Sequence, residues 1–126
     1  MSFEEFQNRS RLYVIGALEQ DELEEFEAAR KQFGQKGEDF ISECYGLHEA
    51  FALSLRPAKA SSAIKDRLMN MVRQKQQQAI ELAFFRGMSQ REIAANTNTP
   101  LGTVKTRLEL GLKKIYDGLK ELQHEL

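Results

Sequence analysis

The sequence has no tryptophan, one cysteine, two prolines and two histidines among its 126 residues. The lone Cys44 excludes an intrachain disulfide and fits a reducing cytoplasm. Only Pro57 and Pro100 interrupt helix formation. No apolar run approaches the ~20 residues of a membrane span, and the acidic N-terminus lacks a signal-peptide pattern. There is no glycine-rich phosphate loop and no paired-carboxylate motif. No Cys/His/Asp grouping goes beyond Cys44 and His48, so neither an enzyme nor a cofactor is expected.

Charge is plentiful, and its two halves disagree. Residues 1–72 hold 9 Lys/Arg against 13 Asp/Glu, a net of −4, while residues 73–126 hold 9 against 6, a net of +3; together they give the chain's −1. An acidic module beside a cationic one would look like this, and so would ordinary scatter of surface charge. The run Glu24, Glu25 and Glu27 reads as a solvated helix face.

Helical periodicity dominates. Phe3, Phe6, Tyr13 and Leu18 open a first apolar face that ends near Gly16 to Glu19. Asp21 with Glu24 predicts the start of a second helix, which carries Leu23, Phe26 and Phe33 and stops at Gly34. A third runs from about Glu38, with Phe40, Ile41, Cys44, Leu47, His48, Phe51 and Leu55 on one side. After the linker "RPAKASS" (Arg56 to Ser62), Ile64, Leu68 and Met71 mark a fourth. No strand-like alternation competes, so the fold class is all-α.

The stretch "MSQREIAANTNTPLGTVKTR", Met88 to Arg107, carries the most specific pattern. Ser89 and Glu92 form an S-x-x-E helix start, with Ile93 and Ala94 facing inward. Asn98 suits a left-handed corner. Thr99 can cap the next helix, and Pro100 suits its first turn. Val104, Leu108, Leu112, Ile115, Leu119 and Leu122 then form an apolar stripe. Opposite it are placed Thr103, Lys105, Thr106 and Arg107. A helix presenting such side chains from its first turns meets the requirement for major-groove entry. Arg can fork onto guanine, Thr can touch a thymine methyl or a phosphate, and Lys neutralises phosphate. From periodicity alone the same residues describe a helical hairpin with a solvated face.

"QQQAIELAFFRGMSQREIAANTNTPLGTVKTRLELGLKKI" closely resembles region four of extracytoplasmic-function sigma factors, most specifically in "SQREIA" and "PLGTVKTR", over roughly Gln76 to Leu122. The resemblance implies a helix-turn-helix that recognises a promoter −35 element and contacts RNA polymerase. Thr103, Lys105, Thr106 and Arg107 would face DNA, and Arg91 would contact phosphate. The family prefers Leu-Gly at the corner where this chain has Thr97-Asn98. No region two is present, so a complete promoter-recognising sigma factor is not expected.

The first half, through "LYVIGALEQDELEEFEAARKQF", resembles the cytoplasmic N-terminal domain of anti-sigma factors over about Phe3 to Val72. Many such domains bind zinc. The matching positions here are Ala29, Phe33 and Lys36, none of them a ligand, and Cys44 with His48 falls short of a zinc set. The resemblance is therefore to the zinc-free branch, and no metal is expected. It implies a four-helix inhibitor domain (1–72) joined to a helix-turn-helix target (73–126), a regulator of transcription in which the first sequesters the second. No membrane span follows the inhibitor-like half. The alternative is a free-standing helix-turn-helix regulator whose N-terminal half senses or dimerises; its mark would be a DNA face left open in the full chain.

No Gly or Pro occurs between Ala58 and Arg86, and "RQKQQQ" (Arg73 to Gln78) consists of good helix formers. A helix running unbroken from Ser62 to Gly87 would span roughly 39 Å at ~1.5 Å per residue. That rod would hold the halves apart, favouring a two-fold homodimer that exchanges them. A bend near Gln74 to Gln77 would instead allow docking within one chain.

Overall fold

The computed structural model describes residues 1–54, 66–70 and 72–125. Six helices run in order among them: α1 (Phe3–Val14), α2 (Gln20–Phe33), α3 (Gln35–Ser54), α4 (Gln74–Arg86), α5 (Gln90–Thr97) and α6 (Leu101–Glu125). Residues 66–69 form one further helical turn. There is no strand among the described residues, and the fold is all-α as its periodicity required.

α1 ends in a left-handed turn at Gly16, with φ 74°. The Gly16 N–H donates to the Tyr13 carbonyl at 3.0 Å and the Ala17 N–H to the Leu12 carbonyl at 2.9 Å. This paired pattern is the Schellman closure, which glycine enters without the Cβ penalty. It delivers the chain into α2 two residues earlier than the acidic pattern suggested. Glu19, not Asp21, is the N-cap: it is extended at φ −75°, ψ 161°, and its N–H donates to Glu22 Oε1 at 3.3 Å. Asp21 is left exposed within the first turn. α3 likewise starts earlier than expected, because Gly34 alone turns the chain and its carbonyl already accepts from the Glu38 N–H.

A small aromatic core holds α1, α2 and α3 together. Phe6 and Phe26 are fully buried and stack with ring centroids 5.1 Å apart. Phe3, Tyr13 and Phe33 pack around them. The positions that match the zinc ligands of the resembled family carry packing residues here: Ala29 is buried in this core, Phe33 lies against Phe3 and Phe6, and the Lys36 ammonium sits 4.0 Å from the Phe3 ring centroid. Cys44 is buried in the larger core described next, and His48 is partly buried. Burial pushes the Cys44 thiol up to about 12, and desolvation lowers the His48 imidazole below its usual range beside Phe84.

The larger core belongs to both halves at once. α6 is its spine, packed on α4 and α5 on one side and on α1 and α3 on the other. Leu12, Ala17, Cys44, Leu47 and Phe51 from upstream join one continuous cluster with Ile80, Ile93, Val104, Leu108, Leu112 and Tyr116. The division drawn at Val72 therefore crosses packed interior. Leu122 and Leu55, expected on apolar faces, have side chains outside the described residues.

The uninterrupted helix from Ser62 to Gly87 is not formed. Residues 62–65 lie outside the described residues, but the chain breaks beyond them. The Val72 N–H closes back on the Met69 carbonyl at 3.1 Å, and Arg73 is extended at φ −66°, ψ 151° as the N-cap of α4. Leu68, Met69 and Val72 are buried by this bend. Helix propensity distinguishes the junction residues by only tenths of a kcal/mol each, whereas burying an aliphatic side chain contributes about 1.5–3 kcal/mol. Burial wins, and the N-terminal half docks on the C-terminal half of the same chain. The rod that would have enforced an exchanged homodimer is absent.

Gly111 marks a close helix contact. A Cβ there would lie 2.5 Å from Ile80 Cδ1 and 3.3 Å from Gln76 Cβ, so α4 and α6 approach closely at this position. Gly111→Val is expected to lower unfolding free energy by about 1–3 kcal/mol through overpacking. Gly111→Ala should cost less, because the end of Ile80 can shift and alanine regains up to about 1 kcal/mol of helix propensity. Urea denaturation of the two variants checks the order.

Candidate nucleic-acid interface

α5 and α6 form the helix-turn-helix. Ser89 caps α5 by accepting the Glu92 N–H at 3.2 Å. Asn98 takes the left-handed corner at φ 50°, ψ 48°, and the Thr99 N–H donates to the Ala94 carbonyl at 3.0 Å. The Thr99 hydroxyl is used inside the corner rather than as a cap: it donates to the Thr97 carbonyl and accepts from the Thr97 hydroxyl. The Pro100 carbonyl then accepts the Thr103 and Val104 N–H groups, starting α6. Ile93 and Val104, each 1% exposed, lock the two helices at their crossing.

The five residues expected to face DNA are not one surface. At 3.6 residues per turn, Lys105 stands about 160° round α6 from both Thr103 and Arg107. Thr106 is exposed, and its hydroxyl donates to the Gly102 carbonyl at 3.0 Å. Thr103 is half-buried beside it. Arg107, also half-buried, lies along the crevice between α6 and α4 with Lys75 and Gln78. Lys105 is on the opposite flank and is turned toward α2. The expectation that Lys105 shares a free face with Thr103, Thr106 and Arg107 is corrected: the apolar stripe of α6 is flanked by the N-terminal half, and Lys105 borders it there.

Lys105 Nζ lies 2.7 Å from Glu22 Oε2, and Arg9 Nη1 lies 3.0 Å from the same oxygen. Arg9 Nε also reaches Glu109 Oε1 at 3.7 Å. The four side chains form a neutral, mostly buried quartet joining α1, α2 and α6. Burial raises the Glu109 carboxyl above its usual range, against the pull of Lys105 and Arg9.

Beside the quartet, Gln90 is 1% exposed, and its Nε2 donates to the Ala17 carbonyl at 2.8 Å and to Glu22 Oε1 at 2.9 Å. The backbone N–H of Arg91 donates to Glu19 Oε1 at 2.9 Å, and Arg91 Nε lies 3.5 Å from Glu19 Oε2. The Arg91 side chain remains largely exposed, 65% by relative area. Sequence reasoning missed Glu19, Glu22, Gln90 and Lys75. The first two were legible as the acidic start of a helix, but their partners stand some seventy residues away. Gln90 reads as a surface residue at a helix start until another body covers it.

The chemistry available here is recognition of an anion by backbone amide, ammonium, guanidinium and side-chain amide. Among the described residues, no group of three or more His, Cys, Asp or Glu is placed to hold a metal ion. No described helix is long and apolar enough to cross a membrane.

Residues 66–115 match the family model described as Sigma-70, region 4. The ECF RNA polymerase sigma factor RpoE of Cereibacter sphaeroides is 48% identical over 40 residues, which cover 32% of this chain and 22% of that protein. The match thus spans about a fifth of that relative's length. No solved structure matches. The family match begins seven residues ahead of the division at 73, in the helical turn at 66–69, and residues 1–65 lie outside it. From that turn through most of α6, this chain is similar to region 4 of sigma-70 factors, as its helix-turn-helix motifs implied.

Proposed function

We propose that this protein regulates transcription in the cytoplasm through a region-four-like helix-turn-helix that its own N-terminal half sequesters in cis, as a binding module without catalytic activity. The N-terminal half is read as a zinc-free, anti-sigma-like domain. The observation carrying this is the shared core: α1 and α3 cover the flank of α6 that α4 and α5 leave open. Released, the helix-turn-helix would read a promoter −35 element and contact RNA polymerase, with Thr103, Thr106 and Arg107 toward bases and Arg91 and Lys105 toward phosphates. The exposure of Thr106 and Arg91 would also suit the alternative, a free-standing regulator. The capture of Lys105, Gln90 and Arg91 by acidic α2 favours sequestration.

Because the core is shared, the test uses the intact chain. Selection from a randomised duplex library, with and without core RNA polymerase, is expected to enrich one short motif. A charge in the seam, Leu12→Asp, is expected to raise duplex affinity by loosening the docking. No enrichment under either condition overturns DNA reading. Unchanged or weaker affinity in a Leu12→Asp chain that keeps its helical circular dichroism overturns sequestration.

A further inference from the structure

We propose that the N-terminus of α2 is a built-in substitute for the DNA backbone: the carboxylates of Glu19 and Glu22 occupy the donors that duplex phosphates take when the chain opens. This rests on the DNA-reading function proposed above and concerns how that function is held off.

The donors are of the type that phosphate uses. Glu19 accepts from the Arg91 backbone N–H in the first turn of the eight-residue α5, where the helix dipole favours an anion. Glu22 is ligated on both oxygens, by Gln90 Nε2 and the Glu19 N–H on Oε1 and by Lys105 Nζ and Arg9 Nη1 on Oε2. A carboxylate offers about four acceptor sites, and here each has a donor. Gln90 belongs to the same set of donors. Its amide is almost wholly buried, yet both its acceptors lie in the N-terminal half. With α2 withdrawn Gln90 is uncovered, and a phosphate oxygen can take the place of these acceptors.

The arrangement is also reversible. Losing Lys105 does not strand Glu22, because Arg9 on α1 stays with it inside the N-terminal half. Lys105 is the most exposed member of the quartet, with 27% of its side chain open to solvent. Thr106 remains open on the far side of α6, so a duplex can engage that face before its backbone competes for Lys105 and Arg91. Inhibition is then competitive, and it is electrostatic at the same donors as binding.

The test measures fluorescence anisotropy of a 30-bp duplex of arbitrary sequence with the intact chain and with Glu19→Gln/Glu22→Gln, across a potassium chloride series. The double variant is expected to bind at least tenfold more tightly at moderate salt. Its log affinity should fall more steeply with log salt, by roughly one to two, as one to two phosphate contacts are regained. Glu4→Gln/Glu24→Gln removes the same charge from exposed positions and is expected to change affinity less than about threefold. An equal gain in that control would mean that net charge alone matters, and overturns the proposal. So does an unchanged affinity in Glu19→Gln/Glu22→Gln while Leu12→Asp binds, an outcome that leaves DNA reading intact. If no variant binds duplex at any salt, DNA reading and this proposal fall together. Should the double variant lose its helical circular dichroism, Glu22→Asp, which draws the carboxylate back by one methylene, carries the same expectation with a smaller gain.

Discussion

Truncating Tyr116 to Ala is expected to cost about 3–5 kcal/mol of unfolding free energy. Tyr116 is 2% exposed and stands on α6 where the halves meet. With Arg11 of α1 and Phe40, Cys44 and Leu47 of α3, it lines one very small cavity. Its ring therefore contributes to the packing of three helices from two segments distant in sequence. Its hydroxyl is buried without a hydrogen-bond partner among the described residues, and burial pushes the phenol well above its usual range. An unsatisfied buried hydroxyl is a cost of about 1–3 kcal/mol, so Tyr116→Phe should be neutral or stabilising. Urea denaturation followed by helical circular dichroism separates the cases. A loss in Tyr116→Phe equal to that in Tyr116→Ala would show that the hydroxyl, not the ring, matters.

Arg107→Ala and Lys105→Ala should part company in the intact chain, although a linear reading pairs them as neighbouring cations. Arg107 lies along the α4–α6 crevice beside Lys75, away from the acidic start of α2. If it forks onto a base, its loss costs about 1–3 kcal/mol of duplex affinity and relaxes preference at one position. Lys105 does two opposing things. It supplies a phosphate contact, and it anchors Glu22, so Lys105→Ala removes a DNA contact and loosens the competitor together. The expected net change is within a few-fold, with no change in sequence preference. Affinity for a selected duplex and for scrambled sequence measures both. Undiminished binding by the Lys105→Ala/Arg107→Ala pair at moderate salt would remove the first turns of α6 from the interface.

How much of this was legible depended on how local the physics was. The Ser89 cap, the left-handed Asn98 corner and the stripe from Val104 to Leu119 follow from interactions within a few residues, and each is where its pattern placed it. The apolar faces of the third helix were legible for the same reason. The start of α2 was missed by two residues, because two acidic pairs at the same spacing compete there, Asp21 with Glu24 and Glu19 with Glu22. The Schellman turn at Gly16 chose between them.

The sequence by itself determined an all-helical chain with a tight helical corner, since periodicity, caps and corner residues act over three or four positions, and the resemblance of its motifs marked that corner as region-four-like. Only the tertiary structure decided that the junction breaks at Arg73, because the burial of Leu68, Met69 and Val72 outweighs small differences in helix propensity. It also decided which cation serves which partner. Thr103, Lys105, Thr106 and Arg107 are adjacent in the chain, but the helix turns by about 100° per residue. Lys105 is thereby aimed at Glu22 of α2, while Arg107 faces α4 and Thr106 faces solvent.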